Sequence, residues 1–510
     1  MSKRNPVRGT CVTQHQRRNR KSTATTNCES LVALQEQLFP SDHIFTHVKF
    51  HGNTSWAPRD LVWQALFWSW SECRNVTDAF CDAARWSKKI SGTQPLSTYQ
   101  GFLGALTRWT AIFIPLLWSV LQMRMEEWGG KFWRIDGWVP IAFDGSRSTV
   151  PRSRANEKAF CAANYGQGMT SRYRKKKTRG MRRTQNERNR GQPPKPQAWI
   201  TLLWHMGLRL PWSWRLGPSN SSERAHVMEL VGAGEFPSDT LFCGDAGFVG
   251  YPLWSAILRS GSNFLVRVGA NASLLTEGAD FQQQKNGMVL CWPKAMIRVG
   301  EPPLHLRLVL VGIGKTKVWI LTSVLDATRL SNQQIVKFYK MRWGIEVEFR
   351  GLKQTLSSGK LCCRNDQRLL AELHWSLLAM TVAELLALKE QLSVRRWKNP
   401  RNEYVPAKLS LAQTIRALRQ SLTNLHEIPP LNQDLRSRLR AAVTDDYERS
   451  ACKCARYRPP NRDKKPLGNP NLRSLTVDES AGAISKGSNG GVAVGLPHRN
   501  SSVLKQAHIN

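Results

Sequence analysis

The apolar positions of this chain change period along its length. From Cys28 to about Gly129 they recur at helical spacing. Asp60 to Glu72, Val76 to Lys88 and Ser97 to Trp128 read as helices, with Thr77 and Ser97 as starts and Gly129-Gly130 as a stop. Phe132 to Phe143 then reads as a strand, ending in Pro-Ile-Ala-Phe-Asp144-Gly145. Trp199 to His205 and Leu208 to Leu216 are apolar runs around Gly207, a hairpin pattern. A short helix (Ser221 to Val231) and a strand (Asp239 to Cys243) follow, the strand running into Gly244-Asp245-Ala246-Gly247. Tyr251 to Ser260 reads as helix and Asn263 to Val268 as strand. Val289 to Trp292, Leu304 to Val311 and Val318 to Ser323 are further strand-like runs. Ser331 to Leu356 reads as one helix, capped by Ser331 and stopped at Ser357-Ser358-Gly359. Gln367 to Leu392 is a long apolar helix, and Leu409 to Leu422 and Leu431 to Val443 are shorter ones.

This pattern divides the chain. Residues 1–27 form a polar, basic arm with no apolar period and read as disordered. Residues 28–130 form a helical domain, 131–360 an α/β domain, and 361–450 a second helical region. The stretch 451–510 is basic, then rich in Gly, Ser and Asn, and reads as a disordered tail. The helices after Leu409 are candidates for a dimerisation element or a simple cap. Trp109 to Met123 contains Pro115 and His374 to Leu388 contains Glu384, so both read as buried helices rather than membrane spans.

Charge narrows the partner. The chain has 510 residues, with 74 Lys+Arg against 37 Asp+Glu, a net of +37. Such an excess repels itself unless a polyanion compensates, and nucleic acid is the partner it fits. The densest run lies in a basic loop over residues 153–196, with Arg174, Lys175, Lys176 and Lys177 at its centre. It is also compatible with a solvated surface loop. Cysteines total 11, with no CxxC pair, so the spacing of a zinc site is missing and reduced cytosolic thiols are expected.

Candidate chemistry gathers on the Ser331 to Leu356 helix. At about 100° per residue, Phe338, Ile345, Phe349 and Leu352 share a core face. Tyr339, Arg342, Glu346 and Lys353 share a neighbouring sector about 60° wide, which Arg350 joins, while Glu348 points the opposite way. A single carboxylate among cations and a phenol suits a metal site that faces a polyanion, but it also fits a salt-bridged surface helix. Asp144 and Asp245 each follow an apolar strand beside glycines, a position equally common for plain turn formers. Asp136-Gly137 is a nearby rival for the first.

The spacing Tyr339-x2-Arg342-x3-Glu346-x6-Lys353 resembles the signature helix of the insertion-sequence-four family of bacterial transposases. The resemblance covers roughly Val139 to Leu388. It implies an α/β, ribonuclease-H-like catalytic core with a β-rich insertion at about 269–323, flanked by N-terminal and C-terminal helical regions, the first binding the element's ends. It implies Asp144, Asp245 and Glu346 as a catalytic, metal-binding triad for two Mg2+ or Mn2+ ions, hard cations that prefer oxygen ligands. Tyr339, Arg342 and Lys353 would bind DNA phosphates, joined by Arg350 and by Arg174, Lys175, Lys176 and Lys177. Expected partners are double-stranded DNA and a second copy of the chain on DNA, with no membrane and no zinc. The expected location is the bacterial cytoplasm, at the nucleoid. Some relatives stack a tryptophan of the insertion on a flipped base, and Trp319 and Trp292 are the candidates. An inactive DNA-binding derivative and a structure-specific nuclease of the same fold remain open alternatives.

Overall fold

A computed structural model describes residues 25–40, 42–46, 48–50, 54, 56–92, 96–161, 196–276, 286–313, 316–393, 405–444, 467–476 and 479. The chain opens with α1 (Asn27–Leu38), α2 (Pro58–Trp70), α3 (Val76–Ser91) and α4 (Tyr99–Gly129). Thr26, Asn75 and Thr98 cap α1, α3 and α4 by accepting first-turn backbone N–H groups, and Gly92 closes α3 in the left-handed conformation. Next come β1 (Val139–Thr149), α5 (Arg154–Phe160), β2 (Gln197–His205), β3 (Leu210–Gly217), α6 (Glu223–Ala233), β4 (Thr240–Gly244), α7 (Tyr251–Arg259) and β5 (Asn263–Val268). They are followed by β6 (Ser273–Thr276), β7 (Asn286–Cys291), α8 (Lys294–Arg298), β8 (Leu304–Ile313) and β9 (Thr316–Thr322). The remaining elements are α9 (Asn332–Met341), α10 (Gly344–Gln354), α11 (Asp366–Leu392), α12 (Leu411–Thr423), α13 (Leu435–Arg440) and β10 (Asn471–Ser474).

All the strands join one sheet in the order β10-β6-β7-β8-β9-β5-β4-β1-β2-β3. β2 runs antiparallel to both β1 and β3, whereas β4 runs parallel to β1 and β5 parallel to β4. Three antiparallel strands followed by two parallel ones through helical crossovers give the α/β, ribonuclease-H-like core expected. β9 pairs antiparallel with β5, so the β-rich insertion (β6 to β9) extends the same sheet. β4 is buried at every residue and β2 at every residue but Gln197. A sheet covered on both faces needs such continuous apolar runs.

The helices at the two ends of the chain pack together. α11 is buried along most of its length and lies against α4, α2, α12, α13 and β3. α4 and α11 are long and apolar enough to cross a membrane by length and composition, but α11 serves here as the central core helix. α12 and α13 pack on α11, on each other and on α1, with Ile415, Leu418, Leu435 and Leu439 fully buried. The apolar faces proposed for dimerisation are thus covered within the chain.

Several boundaries differ from the sequence reading. Ser331 to Leu356 is two helices, broken at Arg342-Trp343. There the Ile345 and Glu346 N–H groups donate three-residue hydrogen bonds to the carbonyls of Arg342 and Trp343. The Trp204 ring presses on Gly344, just past the break, so closely that a β-carbon there would stand 2.8 Å from its Cζ3. β1 runs past Asp144 to Thr149 because β2 pairs with it all the way to Gln197. The basic loop begins with a helix, α5, capped by Ser153; Arg174, Lys175, Lys176 and Lys177 lie outside the described residues. Of Leu431 to Val443 only Leu435–Arg440 is helical. Within the tail, β10 adds a parallel strand to β6, so residues 471–474 are ordered rather than part of a disordered tail. The arm at residues 1–24 is outside the described residues.

Candidate active site

Two adjacent parallel strands and one helix converge at the site. Asp144 lies on β1 two residues beyond the last β1–β4 pair, Ala142 with Cys243, while still paired with Leu202 of β2. It stands where the sheet opens. Asp245 follows the last residue of β4, and its Oδ1 accepts the Gly247 N–H at 2.7 Å. Asn271 donates to the Ala246 carbonyl at 2.7 Å and fixes that turn from the insertion side. Gly244 has no room for a side chain, since a β-carbon there would stand 2.8 Å from the Phe143 ring. Glu346 sits in the first turn of α10, which packs on β1. Ile345, Phe349 and Leu352 bury the other face of that helix and set its rotation.

Asp144 senses the other two carboxylates. Asp144 is pushed up to about 6, first by burial and then by the charges of Asp245 and Glu346, while the Gly145 N–H (2.8 Å) and Arg342 oppose the shift. Among the described residues, no three His, Cys, Asp or Glu side chains stand close enough together to form a ready-made metal shell. Mutual repulsion of like charges accounts for a set that is gathered but not closed. The donors are oxygen only, which is the chemistry a hard divalent cation takes.

Cations border the acids. Arg342 is 6% exposed, and its Nη1 lies 4.0 Å from Asp144 Oδ2. Among the described residues no hydrogen bond reaches its Nε or Nη1, so a buried guanidinium faces the site with donors to spare. Its Cζ lies 5.6 Å from the Tyr339 ring centre, which places Tyr339 beside it. Lys353, a later turn of α10, donates to Ser146 Oγ of β1 at 2.5 Å, and burial lowers its pKa. Tyr339, Arg342, Glu346 and Lys353 therefore share one side despite the helix break. Arg350 is not brought there: it lines a cavity of about 190 Å3 with Glu348, Glu384 and Arg209. Trp292 is buried, donating to the Glu301 carbonyl at 2.8 Å, and Trp319 donates to Asn469 of the tail at 3.0 Å. Trp292 is thus not free to stack on a base as it stands, whereas Trp319 is half-buried.

Two participants escaped the sequence reading. Ser146 is the partner of Lys353. Glu223, the first residue of α6, faces Asp144 and Asp245, and burial followed by those two charges raises its pKa. In the sequence, Ser222-Glu223 looks like any helix start with an acid in the first turn.

Comparison with known proteins bears on this geometry. Residues 141–382 match the family model of the transposase DDE domain. The matched segment is just under half of the chain. It begins three residues before Asp144, ends within α11, and so contains both aspartates and the whole of α9 and α10. No curated protein matches the chain. Among solved structures the chain is similar to the piggyBac transposase synaptic complex with hairpin DNA, at 12% identity and a TM-score of 0.35, over 82% of this chain and 86% of that one.

Proposed function

We propose that this protein is a DNA transposase of the insertion-sequence-four type. It cuts phosphodiester bonds at the ends of an insertion element and joins the 3′-hydroxyl ends to target DNA by in-line displacement. One observation carries the reading. Asp144, Asp245 and Glu346, from stretches about a hundred residues apart, gather beside a buried Arg342 whose Nε and Nη1 take no hydrogen-bond partner among the described residues. A cluster of acids alone would repel DNA, and a lone buried arginine would lack a partner. Together they suit a phosphate held with divalent cations.

Asp144, Asp245 and Glu346 would hold two Mg2+ or Mn2+ ions, which when bound supply charge that activates the attacking oxygen and stabilises the leaving one. Arg342 supplies a planar fork of donors to the phosphate that is cut, and Lys353, tethered by Ser146, supplies a point charge near it. Tyr339 holds the Arg342 plane in place. The four cations of the basic loop would grip the DNA backbone without reading sequence. Two ends joined in one event call for a dimer on DNA. Since the apolar faces of α12 and α13 are covered, that dimer would form through DNA and surfaces other than these. A protein that works on bacterial DNA would act in the cytoplasm at the nucleoid, without zinc or a membrane.

The test is a strand-transfer assay using duplexes copied from the sequences that flank the coding region, with a supercoiled target and Mg2+. Joined product supports the proposal. Binding with no cutting indicates an inactive derivative, and cutting with no joining indicates a structure-specific nuclease.

A further inference from the structure

Glu223 is unexplained by the triad. It begins α6, behind the Ser222 cap, and is half-buried rather than displayed to solvent. Its carboxylate reaches across to β1: a β-carbon on Gly145, the neighbour of Asp144, would stand 2.7 Å from its Cδ. Gly145 is therefore the gap through which Glu223 approaches. The charges it faces are mostly of its own sign, Asp144 and Asp245. The nearby cation is Arg147, and that guanidinium lies 4.1 Å over the Trp199 ring. Among the described residues no hydrogen bond or ion pair ties the Glu223 carboxylate down.

A first-turn acid usually points at its own helix N-terminus or at solvent. This one is instead directed to a place already crowded with negative charge. Such an arrangement is costly unless something positive joins it. An independent observation points to a ligand here: Arg342, nine-tenths buried and aimed at Asp144, has Nε and Nη1 without hydrogen bonds among the described residues. The ligand must offer positive charge to the carboxylates and negative charge to the guanidinium. A divalent cation carrying a phosphate oxygen has both.

We propose that Glu223 is a fourth carboxylate of the cation site, holding a divalent ion together with Asp144 and Asp245. The proposal rests on the transposase reading of the triad and adds to it a ligand from outside the signature. β1 and β4 supply one side of the ion's oxygen shell, and α6 closes it from the edge. Gly145 is then required by the site as well as by the strand.

The test is Mn2+ binding by the full-length protein, read from the loss of the free-ion electron paramagnetic resonance signal, with circular dichroism as the check on folding. The wild type should bind, and Glu223→Gln should bind at least about tenfold more weakly, as when a metal site loses a supporting group. Gly145→Ala leaves the charge intact but displaces the Glu223 carboxylate, and should weaken binding in the same direction. Asp144→Asn serves as the reference for the triad itself. If Asp144→Asn weakens Mn2+ binding while Glu223→Gln and Gly145→Ala match the wild type, the fourth ligand is refuted and the triad stands. If the wild type binds no Mn2+, or Asp144→Asn has no effect, the triad reading fails along with it.

Discussion

Glu346 and Glu348 stand two residues apart on α10 and meet opposite fates. Glu346 faces the opening where Asp144, Asp245 and Glu223 gather, with Arg342 and Lys353 alongside. Glu348 turns inward, 6% exposed, accepting a hydrogen bond from Trp204 Nε1 at 3.3 Å and facing Glu384 of α11, with Arg209 above the Trp204 ring. Each cluster pairs acids with an arginine. The inner one resolves its charge by holding a proton: Glu348 is pushed up to about 7 by burial, and Glu384 is raised further by burial and by Glu348. The outer one leaves its charge and its Arg342 donors unsatisfied. An acid pair that neutralises itself belongs to the core; one that does not is prepared for a ligand.

Breaking the outer cluster should have the largest effect. Asp144→Asn is expected to lower DNA cleavage on the order of a thousandfold, the equivalent of about 4 kcal/mol of transition-state stabilisation. The same change should stabilise the fold at pH 7. The Asp144 carboxyl has a folded pKa of about 6, above its ordinary value of 3.8, so its protonated form is favoured on folding. Stability from that proton is present at low pH and lost as pH rises through about 6. The substitution should therefore add about 2–3 kcal/mol at pH 7 and almost nothing at pH 3, measured by thermal unfolding without metal. Equal gains at both pH values would contradict the burial and like-charge account.

Breaking the inner cluster should cost stability instead. The far face of α10 is not a solvent face, so Glu348→Ala is a poor neutral control. It removes the acceptor of Trp204 and leaves a void, and should cost about 2–4 kcal/mol in urea unfolding. Glu348→Gln, which keeps an acceptor and removes a charge, should cost much less. Because the folded pKa of Glu348 is raised to about 7, wild-type stability should also fall as pH rises through that value, and Glu348→Gln should flatten the fall. Gly344→Ala probes the hinge between the clusters. Its β-carbon would press on the Trp204 ring, at an expected cost of about 1–3 kcal/mol with the signature side chains unchanged.

The smallest effect concerns the basic loop. Replacing Arg174, Lys175, Lys176 and Lys177 by glutamine should weaken binding to all duplexes alike. It should flatten the salt dependence by up to about 0.9 in log–log slope for each DNA phosphate that is no longer neutralised. An unchanged slope would assign those cations to solvent.

Much of this was legible in the sequence. The order of strands and helices around Asp144 and Asp245 was readable because each acid follows a continuous apolar run and has a glycine beside it. The signature helix was readable because helical spacing put Tyr339, Arg342, Glu346 and Lys353 on one side. What escaped depended on neighbours remote in sequence. The break at Arg342-Trp343 lies beside Gly344, which is pressed by the ring of Trp204, more than a hundred residues earlier. The inward fate of Glu348 depends on Glu384 and Arg209, and helical periodicity gives its direction but not what it meets. Glu223 looked like an ordinary first-turn acid, and β10 was hidden in a stretch of low apolar content where backbone pairing to β6, rather than side-chain burial, makes the strand.

The most direct test of the central claim compares the two glutamates of α10 in one assay. Nicking of a duplex carrying the element's end is measured with Mg2+ for the wild type, Glu346→Gln and Glu348→Gln. The account predicts metal-dependent nicking by the wild type and by Glu348→Gln at a temperature where both are folded, and none by Glu346→Gln despite undiminished DNA binding. Nicking by Glu346→Gln at the wild-type rate would contradict it.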